Sequence, residues 1–131
     1  MIVLDCSYAL AMVMPDEGRP AAARQVASGP VLVPALWAYE VANGFRSAVR
    51  RGRVTEAEVI GMCTHLEALR VSILHPDEYS VRRIFLAAAS RGLTPYDSCY
   101  VDLALQRGAT LATLDASLAQ AARAAGVSLL V

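Results

Sequence analysis

The chain has 131 residues and a formal net charge of zero at pH 7, and it is 56% apolar but only 6% aromatic. That length fits one domain, residues 1–131, with a sizeable core built from Ala, Leu and Val, and the neutrality argues against a general electrostatic binder of nucleic acid. All twelve basic residues are Arg, which excludes lysine ammonium or Schiff-base chemistry and leaves guanidinium contacts to phosphate open.

In chain order, short apolar runs alternate with longer helical segments, the pattern of a parallel α/β sheet covered on both faces. The first strand is expected at Ile2–Leu4, with helices over Ser7–Met14 and Asp16–Ser28. A second strand at Val31–Val33 leads into a helix over Ala35–Arg51. Thr55-Glu56-Ala57-Glu58 reads as a capping box opening a helix to Arg70, followed by a strand at Val71–Leu74. Helices over Asp77–Arg91 and Pro95–Arg107 precede a strand at Thr110–Thr113, a helix over Asp115–Ala125 and a last strand at Ser128–Val131. Gly52, Gly92, Gly108 and Gly126 stand where helices end in a left-handed cap. No run is long enough to span a bilayer, and no basic segment precedes the first apolar run, so the expected compartment is the cytoplasm.

Four acids stand at or beyond the expected carboxyl ends of strands, where open parallel sheets bind ligands. Asp5 ends the run Met1-Ile2-Val3-Leu4, and a charge at the edge of a core is costly unless cations or donors meet it. Glu40 follows Val31-Leu32-Val33 and shares a polar helical stripe with Asn43, Ser47 and Arg50. That stripe reads either as a solvated face or as a cleft wall in which Asn43 orients a carboxylate. Asp97, three residues after Thr94 and just inside Pro95, fits a capping box as well as a ligand. Asp115 fits a helix N-cap equally well, with Thr113 on its side of the strand. Together the four would form a hard-oxygen cage suited to Mg²⁺ or Mn²⁺. Ser7 is expected to cap the first helix. Asp102 is set aside because, with Ser98 and Gln106, it reads as a solvated helix face.

Other chemistries find no support. Cys6, Cys63 and Cys99 lack metal-ligand spacing and an activating base. His65 and His75 have no partners for a triad or a metal site, and Trp37 and Phe45 are expected to pack.

Taken together, Ile2-Val3-Leu4-Asp5-Cys6-Ser7, Glu40-Val41-Ala42-Asn43, Arg50-Arg51-Gly52-Arg53, Leu93-Thr94-Pro95-Tyr96-Asp97 and Ala112-Thr113-Leu114-Asp115 resemble the PIN-domain ribonucleases. Among these, the chain is similar to the small toxins of the VapC type over nearly its whole length. The resemblance implies a three-layer α/β/α fold with a five-stranded parallel sheet in the order 3-2-1-4-5. It implies metal-ligand and catalytic roles for Asp5, Glu40, Asp97 and Asp115, polar support from Ser7 and Thr113, and Cys6 where the family usually has a small or hydroxyl residue. The reaction implied is Mg²⁺- or Mn²⁺-dependent cleavage of RNA by activated water, with a homodimer neutralised by a VapB-like antitoxin. Arg46, Arg50, Arg51 and Arg53 would contact RNA or that antitoxin, or serve only as solvated cations at a helix end. Two rival readings are a non-catalytic interaction module on the same fold and a HAD-like phosphatase. The second is weakened by the absence of Lys and by Ser7 standing where a second Asp belongs.

Overall fold

The computed structural model describes residues 1–130; Val131, the end of the expected fifth strand, lies outside them. Among the described residues the sheet has four strands, β1 (Ile2–Leu4), β2 (Val31–Pro34), β3 (Val71–Leu74) and β4 (Thr110–Ala112), in the order β3-β2-β1-β4 and all parallel. Val3 faces Leu32 on one side and Leu111 on the other. β1 and β2 are buried throughout, which is why their sequences are unbroken apolar runs rather than alternating ones. β3 is the edge, and its Ser72 and Ile73 are exposed.

The helices are α1 (Cys6–Val13), α2 (Ala23–Ser28), α3 (Leu36–Arg50), α4 (Glu56–Glu67), α5 (Val81–Arg91), α6 (Pro95–Arg107) and α7 (Ala116–Ala124). One layer is α1 packed on α3 and α4; in the other, α6 lies across β1, β2 and β4 with α5 and α7 at its sides. Trp37 and Phe45 are buried in the first layer, as expected. α1 and α3 approach closely at Gly44, where an added Cβ would stand 2.7 Å from a Leu10 methyl. Gly92 and Gly108 cap α5 and α6 with φ of 66° and 59°, a region that costs other residues energy. Thr55 and Glu58 make the reciprocal bonds of the capping box at α4.

Three expectations about elements need correction. The helix expected over Asp77–Arg91 begins at Val81, capped by the Ser80 hydroxyl. The helix expected over Asp16–Ser28 forms only from Ala23: Pro20 lacks the N–H an interior position needs, and Asp16 and Glu17 are drawn off to Arg53. The fifth strand reduces, among the described residues, to one parallel bridge between Leu111 and Leu129. It is carried by bonds of 2.9 Å from Leu111 N–H to Ser128 O and from Leu130 N–H to Leu111 O. The order 3-2-1-4 holds, with that bridge standing where strand 5 belongs.

Among the described residues, no helix is long and apolar enough to cross a membrane.

Candidate active site

The chain runs outward from β1 to β2 to β3 and then returns to β4 on the other side of β1. Strand order therefore reverses beside β1, and the crevice at the carboxyl ends of β1 and β4 is the ligand position of such sheets. Asp5 stands there, 5% exposed, its N–H bonding Ala112 O at 3.0 Å one step past the last strand pair.

Ser7 and Thr113 hold the Asp5 side chain. Both hydroxyls donate to Asp5 Oδ2, Ser7 at 2.6 Å and Thr113 at 2.8 Å. Each hydroxyl oxygen in turn accepts a backbone N–H, from Leu114 at 2.9 Å and from Asp115 at 3.1 Å. The hydroxyl orientations are thus fixed from behind, and Oδ1 has no protein partner among the described residues. Ser7 therefore serves Asp5 from inside α1. The cap role expected of it falls by position to Asp5, whose side chain makes no capping bond.

The other acids enter from three helices. Asp115 is the N-cap of α7, its Oδ1 accepting from Leu118 N–H at 2.8 Å. Asp97 lies in the first turn of α6, whose N-cap Thr94 accepts the Asp97 N–H at 3.2 Å. Asp115 therefore caps its helix through its side chain, whereas Asp97 gives Thr94 only its backbone N–H and its carboxylate makes no capping bond among the described residues. Glu40 projects from α3, half-buried, and accepts a hydrogen bond at Oε1 from the Tyr100 hydroxyl. The N-termini of α1, α6 and α7 meet at this cleft, and their partial positive charge offsets some of the repulsion.

Burial is the larger cause of the raised proton affinities, and the neighbouring charges add to it. Burial pushes the Glu40 carboxyl above its ordinary range, the charges of Asp5 and Asp97 push it further, and the Tyr100 hydrogen bond opposes them. Burial likewise raises Asp97, with Asp5 and Asp115 adding to the effect and Thr94 opposing it. The donor set is oxygen only, which suits a hard divalent cation, and a cation would relieve the repulsion. Among the described residues no three His, Cys, Asp or Glu side chains stand close enough to grip an ion outright. An Mg²⁺ held by one or two carboxylates and completed by its own waters is compatible with that spacing.

Several residues fall elsewhere than expected. Asn43 is exposed and makes no side-chain hydrogen bond among the described residues, so it orients no carboxylate here. Arg46, Arg50 and Arg51, by contrast, are exposed at the end of α3, the place expected of them. Arg53 is tied by two bonds, 2.7 and 2.9 Å, to Asp16 and reaches Glu17 at 3.4 Å, so it is no free contact residue. The solvated face assigned to Ser98 and Asp102 is also wrong. Ser98 is 1% exposed, and Arg91 Nη1 binds both its hydroxyl at 2.8 Å and Asp102 at 2.7 Å. Tyr100 escaped notice in the sequence, although it stands three residues after Asp97 on the same face of α6. Burial pushes the Cys6 thiol up to about 12 and the Cys99 thiol to about 11, so neither is a nucleophile at neutral pH.

Fold and site together define a parallel α/β domain with acids gathered at its topological switch point. The chain belongs to the PIN-domain family, whose pattern it matches over residues 2–124. It is 36% identical over 121 residues to Ribonuclease VapC3 of Pyrobaculum aerophilum, covering 91% of this chain and 92% of that protein. It also resembles the crystal structure of PAE2754 from Pyrobaculum aerophilum, with a TM-score of 0.70 over 92% of this chain and 84% of that one. At 24% identity the second likeness speaks for the fold alone.

Proposed function

We propose that this chain is a Mg²⁺- or Mn²⁺-dependent endoribonuclease and the toxin of a VapBC-type toxin–antitoxin pair. The observation that carries the reading is Asp5, a buried acid at the switch point held on one oxygen by two hydroxyls, with Glu40, Asp97 and Asp115 around it. The similarity to a ribonuclease of the VapC type supports it.

Asp5, Glu40, Asp97 and Asp115 are the residues that would hold the ion, one or two of them directly and the others through its waters. When bound, it supplies Lewis acidity, offsetting charge on the phosphate and making water easier to deprotonate. The chain's own groups do the rest. Ser7 and Thr113 fix Asp5 Oδ2 so that Oδ1 meets the ligand. Tyr100 fixes Glu40 Oε1, which leaves Oε2 as the working atom. Asp97 and Glu40, both with proton affinity raised by burial and by neighbouring acids, are the carboxylates suited to take a proton from the attacking water. Products would carry 5′-phosphate and 3′-hydroxyl ends. Exposed Arg46, Arg50 and Arg51 would meet RNA phosphates or the acidic parts of an antitoxin. A homodimer working in the cytoplasm completes the proposal.

The test is to incubate partner-free protein with total cellular RNA in Mn²⁺ and in EDTA, beside Asp5→Asn. Discrete Mn²⁺-dependent fragments lost in the variant are expected. Intact RNA with correctly folded protein would instead favour the non-catalytic interaction module.

A further inference from the structure

The carboxyl ends of β2 and β3 carry a second feature. A groove of about 690 Å³ runs from Pro34 and Leu74 past His75 to Tyr79, Tyr96 and Asp102. It opens on the same sheet edge as the acids, and Tyr96 directly precedes Asp97. Its volume lies within the roughly 300–1,000 Å³ of small-molecule sites.

The groove is apolar, yet two of its rings are left in water: Tyr79 is 89% exposed and Tyr96 is 64% exposed. One strong acceptor lines it. Asp102 gives Oδ1 to Arg91, while Oδ2 has no protein partner among the described residues. Among the described residues no arginine lines the groove, and its polar groups are His75, the buried Ser98, Asp102 and the two tyrosine hydroxyls, a sparse set beside its apolar walls. Its chemistry suits a flat, apolar-faced group that carries N–H donors on one edge. A nucleobase is such a group, and aromatic side chains bind unpaired bases by stacking.

We propose that this groove is a nucleobase subsite, in which a base next to the scissile phosphate stacks on Tyr96 and Tyr79 and donates from its edge to Asp102. The proposal rests on the ribonuclease reading and adds to it a seat for one unpaired base beside the acids. Bases within a duplex are already stacked and paired, so only an unpaired strand can fill the groove while its backbone crosses the acids. Asp102 would then favour bases whose exposed edge presents donors.

The experiment is equilibrium binding of the full chain to a short single-stranded oligoribonucleotide and to its duplex, in EDTA so that no cleavage occurs. The proteins are wild type, Tyr96→Ala, Tyr96→Phe, Tyr79→Ala and Asp102→Asn, with the oligomeric state of each measured alongside. Stacking of this kind predicts a loss of about 5- to 150-fold for the single strand in Tyr96→Ala. Affinity should be retained in Tyr96→Phe, which keeps the ring, and duplex binding should be the same in all. Asp102→Asn should change the ranking of single strands that differ in one base. Unchanged single-strand affinity in Tyr96→Ala overturns the subsite, and so does an equal loss for single strand and duplex. A shift from dimer to monomer without loss of RNA affinity would assign the groove to a second copy of the chain and also overturn it. Wild type that neither binds nor cleaves RNA would bring down the ribonuclease reading itself, whereas wild type that cleaves while Tyr96→Ala binds and ranks strands normally would remove the subsite alone.

Discussion

Asp5, Ser7 and Thr113 form a unit whose parts have separable effects. Two hydroxyls donate to one carboxylate oxygen, and bonds to a charged group are worth about 1.5–3 kcal/mol each. Thr113→Val keeps the shape and removes one donor to a buried charge, so it is expected to lower stability by about that amount, read by urea unfolding. The same change should cut apparent Mn²⁺ affinity by roughly 10- to 100-fold, the usual cost of losing a group that orients a metal ligand. Tyr100→Phe is expected to act on Glu40 in the same way, with a similar loss of Mn²⁺ affinity read by titration calorimetry and little change in fold. Asp5 was legible from sequence because a charge ending an apolar strand has few structural excuses. Tyr100 was not, because a tyrosine on a helix facing a sheet reads as core, and only the folded chain brings its hydroxyl to Glu40, sixty positions away.

At the scale of elements, the residues that start and stop helices were the clearest signals. Thr55 with Glu58, Thr94 with Pro95, and the glycines after Arg91 and Arg107 sit where local chemistry alone decides conformation. Thr55→Ala is accordingly expected to cost about 1 kcal/mol, measured by thermal or urea unfolding, with no effect on RNA cleavage. Where tertiary pairing decides, sequence reading lost its hold. The segment after Met14 has Asp16, Glu17 and Arg19 to suggest a helix, but Gly18 and Pro20 break the run and Asp16 is engaged by Arg53, thirty-seven positions away. Ser98 and Asp102 show the same limit: their polar spacing resembles a wet face until Arg91 of the neighbouring helix covers them. Arg91→Met should therefore loosen α5 from α6. Its cost lies between the roughly 1 kcal/mol of an exposed pair and the 3–5 kcal/mol of a fully buried one, since both side chains are partly exposed.

For the whole molecule, the acid cleft ties stability to pH and to metal with a sign that can be worked out. Glu40 and Asp97 both have folded-state proton affinities above their ordinary values of 4.5 and 3.8. From about pH 4 upward the folded protein therefore holds protons that the unfolded chain has released, and stability falls as pH rises through the raised values. Asp16 has the opposite shift, lowered by Arg53, but its contribution changes below its ordinary 3.8 and leaves the range above about pH 4.5 almost untouched. Metal-free protein should thus melt at a lower temperature at pH 8 than at pH 4.5, the start of the range over which the raised groups lose their protons. Mn²⁺ binds the ionised carboxylates, so its stabilising effect should grow over the same interval and reach about 2.7 kcal/mol at a hundredfold excess over Kd. Asp97→Asn removes one of the repelling charges without removing volume. It should flatten the metal-free pH slope, raise the melting temperature at pH 8 and weaken the response to Mn²⁺. A variant that melts like wild type at both pH values, with and without the ion, would mean that these carboxylates do not share a cleft and that no ion is held among them.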